Sequence, residues 1–106
     1  MPDTLEFDAS TPFGLRVRCS RAHWRFLAGM KPPVLAGRSD EVRRALEFPD
    51  QVRRSRSDPA VLLFYGRHEK RRHCGVVRIV ADGAFLVTAY PTDALKAGEV
   101  VWTAFG

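Results

Sequence analysis

Cysteine and lysine are scarce in this chain of 106 residues: Cys19 and Cys74 are the only thiols, and Lys31, Lys70 and Lys96 the only lysines. Two cysteines are too few for a disulfide scaffold, so a reducing, cytoplasmic setting is the expectation. No apolar run approaches the roughly 20 residues that cross a bilayer. The stretch Met1 to Glu6 lacks the basic and apolar regions of a signal peptide, and no membrane partner is expected. There is no Gly-rich phosphate loop, no Gly-x-Ser-x-Gly and no acidic pair at metal spacing. His68, His73 and Cys74 do not stand at a usual zinc spacing, and no fourth ligand is near. They read as a solvated loop, and neither metal nor cofactor is expected. Internal repeats, low-complexity tracts and linkers are also missing.

What is present is positive charge. The formal net charge is +5, and arginine supplies most of the excess. Its planar fork fits phosphate oxygens, which favours a polyanionic partner, nucleic acid first. A solvated basic surface is the competing reading. A chain of this length is one domain and buries roughly two-thirds of its unfolded surface.

The element pattern follows from periodicity. Residues 1–13 show no clear period and read as an N-terminal arm; residues 14–106 read as the domain. Leu15, Val17 and Cys19 alternate with Arg16 and Arg18, as in a short strand. Ser20 caps a helix over Arg21 to Met30, with Trp24, Leu27 and Ala28 on its buried face, and Pro32-Pro33 ends it. A second helix starts at Ser39, with Val42, Ala45 and Leu46 as its apolar stripe. Pairs Arg43 with Glu47 and Asp40 with Arg44 suit its exposed face. Gln51 to Arg56, Val61 to Tyr65, Gly75 to Ala81 and Ala84 to Tyr90 read as four strands. Asp82-Gly83 is a hairpin turn, and Gly66 to His73 a polar link. Asp93 to Lys96 reads as one helical turn, with Val100 to Trp102 a final strand or flap. The expected fold class is α+β: two N-terminal helices packed on a four-stranded antiparallel sheet.

An ordered set of residues carries a family resemblance. It runs His23-Trp24, Lys31-Pro32-Pro33-Val34, Gly37-Arg38, Pro49-Asp50, Val52-Arg53-Arg54-Ser55, Leu63-Phe64-Tyr65, Val87 to Asp93 and Lys96 to Glu99, closing on Trp102. This order, over about residues 20–103, resembles the phage-type BECR nuclease-like families, small domains similar to the barnase, EndoU, colicin and RelE ribonucleases. The DUF4258-type domains look similar too. One departure stands at Pro32, where relatives often carry a His beside the Lys. The resemblance implies a nucleolytic sheet face, often in a toxin or effector setting with a cognate antitoxin.

The candidate site joins both lines. His23 carries the side chain best suited to proton transfer; packing on Trp24 is the competing reading. Arg53 and Ser55 share a strand face that can clamp a phosphate or lie as a plain strand edge. Tyr65 and Tyr90 can stack on bases or serve as core with wet hydroxyls. Thr88 matters only if its face is open. The expected catalytic set is His23, Arg53, Ser55, Thr88 and Tyr90, with Lys31, Arg38, Arg54 and Tyr65 binding nucleic acid. The Arg67 to Arg72 run reads as exposed, able to hold a backbone phosphate without reading bases. The expected activity is metal-independent RNA cleavage by the adjacent 2′-hydroxyl; the alternative is a non-catalytic module binding nucleic acid or protein. Geometrically, the helices are expected to cover Phe85, Val87 and Ala89, leaving Thr88 and Tyr90 with Arg53 and Ser55 on the other face.

Overall fold

Leu5, Phe7 and Ala9 alternate with Glu6, Asp8 and Ser10, and this period-two stretch forms β1 (Leu5–Ser10) in the computed structural model, which describes residues 4–105. The arm expected over 1–13 is therefore mostly a strand and the turn after it, while residues 1–3 lie outside the described residues. Gly14, at φ +84, makes the turn into β2 (Arg16–Ser20), and β1 pairs antiparallel with β2. The Ser20 hydroxyl accepts the His23 amide N–H at 3.0 Å and so caps α1 (Arg21–Ala28). Trp24 and Leu27 point inward from α1, and Val42, Ala45 and Leu46 from α2 (Ser39–Glu47). Arg43 pairs with Glu47 at 2.7 Å, but Asp40 meets Arg43 at 3.6 Å rather than Arg44.

Five further strands follow: β3 (Gln51–Ser55), β4 (Val61–His68), β5 (Arg71–Val80), β6 (Gly83–Pro91) and β7 (Gly98–Thr103). The sheet order is β1-β2-β6-β5-β4-β3-β7. All pairs are antiparallel except β2 with β6. The helices carry the chain across one face, from β2 to β3. The meander β3 to β6 then walks back, and β6 lands beside β2 in the same direction.

This overturns the expected four-stranded antiparallel sheet: the fold is a seven-stranded mixed sheet with two short helices. Three physical reasons account for the difference. Non-local pairing adds β1 and β2 on one side and β7 on the other. The polar link Gly66 to His73 is itself strand, because Gly66 pairs with His73 and Arg67 with Arg72, leaving Glu69 and Lys70 as the turn. The helical turn expected at Asp93 to Lys96 does not form, because its amides are held elsewhere: Ala94 N–H on the Thr92 hydroxyl and Lys96 N–H on the Tyr65 hydroxyl, each at 3.0 Å.

The sheet curls, so that α2 packs against β1 as well as β4 and β5. The Ser10 N–H reaches a Glu47 carboxylate oxygen at 3.4 Å, and the Phe13 ring stacks on Phe64 with centroids 5.8 Å apart. Inside the curl lie Val17, Val42, Leu46, Val52, Phe64, Val77 and Leu86, all fully buried. Each such side chain contributes roughly 1.5–3 kcal/mol of transfer free energy. Among the described residues, no helix is long and apolar enough to cross a membrane.

The covered face of β6 also differs from expectation. Val76 pairs with Thr88 but Val77 with Leu86, so Val87 is an extra residue in a bulge. The bulge resets the alternation. Ala84, Leu86 and Ala89 face the helices, while Phe85 and Val87 are left exposed.

Candidate functional site

The face turned away from the helices can be read row by row from the strand register. Arg53, Leu63, Val76 and Thr88 form one row across β3, β4, β5 and β6. Gln51, Tyr65, Cys74 and Tyr90 form the next. Arg53 and Ser55 thus do share a face with Thr88 and Tyr90. They are not brought together, however, because three strand spacings, about 14 Å, separate β3 from β6. One phosphate cannot touch both.

The space between them is occupied. The segment after β6 crosses this face at Lys96, whose carbonyl accepts from the Arg53 guanidinium at 2.8 Å. The same guanidinium donates to Gln51 at 2.6 Å. Tyr65 is fully buried, and its hydroxyl accepts the Lys96 N–H. Burial pushes the Tyr90 hydroxyl well above the ordinary phenol range, and it has no hydrogen-bond partner. The Cys74 thiol lies beside it without hydrogen-bond geometry. Arg54 donates to the Pro59 carbonyl at 2.6 Å and reaches Glu99 at 3.4 Å, a structural tie. Ser55 opens onto a cavity of about 410 Å³ floored by Leu63 and Val76.

His23 stands elsewhere, on the outer edge of β6. Strand β2 covers that edge only at Ala84 and Phe85, which leaves the Val87 carbonyl free. The His23 ring takes it at 3.0 Å through Nε2. A carbonyl only accepts, so Nε2 carries the hydrogen and Nδ1 is the basic nitrogen of the neutral ring. Phe26 stacks on the imidazole with centroids 6.3 Å apart and planes at 19°. His23 lines a cavity of about 340 Å³ together with Arg18 and Phe85. The Arg18 guanidinium is held only loosely, 3.8 Å from Asp82. This small site combines a proton carrier of fixed tautomer, a cation and an exposed ring.

The remaining histidines lie at the far end of the sheet. His73 is fully buried opposite Pro91 and within 3.3 Å of Glu41 through Nε2. Burial lowers its pKa despite the carboxylate. Burial pushes the Glu41 carboxyl up, but the hydrogen bonds from Arg38 and His73 outweigh it and hold it low. Arg38 is thus tied to Glu41, at 2.9 Å. Lys31 is exposed on the loop between the helices and lines neither of these cavities. Among the described residues, no group of three or more His, Cys, Asp or Glu side chains could hold a metal ion.

Arg18 and Phe85 escape a reading of the sequence. Arg18 is visible there only as the outward half of an alternation, and the periodicity assigns Phe85 to the core. The parallel register Arg18 to Phe85 sets them side by side, and it joins segments far apart in the chain. No family model, curated protein or solved structure matches the chain.

Proposed function

We propose that this chain is an endoribonuclease that uses the 2′-hydroxyl of its own substrate as nucleophile, with His23 as proton carrier. The observation that carries the reading is the pinned His23 ring, sharing one cavity with Arg18 and Phe85. In this reaction the 2′-oxygen attacks phosphorus and the bond to the 5′-oxygen breaks. His23 Nδ1 takes the proton from the 2′-hydroxyl and returns it to the leaving oxygen. Arg18 offsets the charge that builds on the phosphoryl oxygens, and Phe85 supports a base by stacking. The step requires neither metal nor activated water.

A non-catalytic nucleic-acid-binding module is the second reading, and one observation favours it. His68 ends β4 and His73 lies near the start of β5, both toward the β4–β5 hairpin, so no second histidine reaches His23 to divide the work of acid and base.

The test is incubation of the purified chain with mixed RNA and DNA oligonucleotides, with and without chelator. RNA should be cut in both conditions to products ending in a 2′,3′-cyclic phosphate, and DNA left whole. His23→Gln should lower the rate about a hundredfold or more, and Arg53→Gln should leave it near wild type. Cleavage lost on adding chelator rejects the mechanism. Binding without any cleavage leaves the module.

A further inference from the structure

A cavity of about 760 Å³ belongs to neither site above. It lies where the loop before α2 faces the tip of the β4–β5 hairpin. Its lining combines four cations, Arg38, Lys70, Arg71 and Arg72, with the apolar Pro33, Val34 and Pro91. A neighbouring cavity of about 300 Å³ shares Arg38, Lys70 and Arg71, so the two form one groove along the hairpin.

The charges of this groove are unequally engaged. Arg38 is spent on Glu41 at 2.9 Å. Arg72 only approaches Asp50, at 4.0 Å, and its Nε is out of solvent with no acceptor. Lys70 and Arg71 are exposed and have no ion-pair partner among the described residues. Asp93 is the carboxylate on the wall of the larger cavity. Two free cations at a hairpin tip and an underused guanidinium behind them attract an anion repeated along a chain.

We propose that this groove holds the phosphodiester backbone of a single-stranded nucleic acid. The mixed lining selects the single strand. Its phosphates lie on the cations, while sugar and base faces rest on Pro33 and Pro91. A duplex would present phosphates alone and leave the apolar residues unused. The groove has no Phe, Tyr or Trp ring and no side-chain amide, and His68 in its smaller part is its one imidazole, so it tracks backbone and does not read sequence. The site stands apart from the cleavage reading, because its residues touch neither His23 nor Arg18.

The experiment is fluorescence anisotropy of a labelled oligothymidylate, which lacks the 2′-hydroxyl and cannot be cut by the proposed chemistry. Binding is measured across a salt series for the wild type, for Lys70→Glu with Arg71→Glu, and for a control of equal charge change, Arg44→Glu with Arg56→Glu. All four positions are exposed, and circular dichroism checks the fold. The hairpin variant should lose at least tenfold in affinity. Its slope of log affinity on log salt should flatten by about 1.4, two contacts at about 0.7 each. The control should lose much less of both. Equal losses in the two variants would reduce the effect to net charge and overturn the groove. Displacement of the probe by polyglutamate as readily as by unlabelled oligothymidylate would overturn the nucleic acid assignment. Since no cleavage is read, a failed nuclease assay leaves this outcome unaffected.

Discussion

Tyr65 and Tyr90 occupy the same row of the face turned away from the helices, one on each side of Cys74, and their hydroxyls meet opposite fates. The Tyr65 oxygen accepts the Lys96 N–H and so fixes the segment that crosses the face. The Tyr90 oxygen is buried with no partner. Removing an acceptor from a made hydrogen bond costs about 1 kcal/mol, whereas removing an unpaired hydroxyl costs little. Tyr65→Phe should therefore lower stability by about 1 kcal/mol in urea unfolding, and Tyr90→Phe should stay within about 0.5 kcal/mol of wild type. A Tyr90→Phe loss as large as that of Tyr65→Phe would mean that the Cys74 thiol serves as a true partner. At this scale the sequence showed residue types but not their engagements. A histidine suited to proton transfer was legible; its pinning by the Val87 carbonyl was not, because that carbonyl is free only where β2 stops.

Elements were legible where local signals repeat. Ser20 capping α1 and the stripe Val42, Ala45, Leu46 of α2 needed no tertiary information. The phase of β6 did need it, since the bulge at Val87 arises against β5. How closely α2 approaches the sheet depends on one glycine of β4. A Cβ on Gly66 would stand 2.6 Å from the α-carbon of Ala45 and 2.8 Å from its methyl group. On Gly75 of β5 it would meet the end of the Leu46 side chain, at 2.9 Å, which can swing away. Gly66→Ala must push a helix backbone off the sheet and should cost roughly 1–3 kcal/mol, more than Gly75→Ala. Adding Ala45→Gly should not restore stability, because the new methyl group still collides with the helix backbone. Full recovery in that double variant would show that the side chain, not the backbone, sets the spacing.

At the scale of the whole molecule, closure depends on the first hairpin. Strand order cannot be read from local periodicity, so the sequence pattern alone reads β1 as an arm and starts the domain at residue 14. Yet Phe7 and Ala9 are buried in the same core as Leu46 and Leu86. Phe7 meets Trp24 edge to face, with centroids 6.4 Å apart, and Phe13 stacks on Phe64. Deleting residues 1–14 would remove the Phe7 burial, worth roughly 1.5–3 kcal/mol, and strip the cover from Trp24, Val17 and Cys19. It would also leave the whole outer edge of β2 unpaired, a template for aggregation. Set against a typical domain stability of about 5–15 kcal/mol, the Phe7 loss alone is a sizeable fraction, and the uncovered core and unpaired edge add to it. A chain starting at Leu15 should therefore lack a cooperative thermal transition and elute as an aggregate in size-exclusion chromatography, while Phe7→Ala in the full chain should still unfold cooperatively at lower temperature. A monomeric, cooperatively folding chain from Leu15 would restore the boundary at residue 14 and reduce β1 to a dispensable edge.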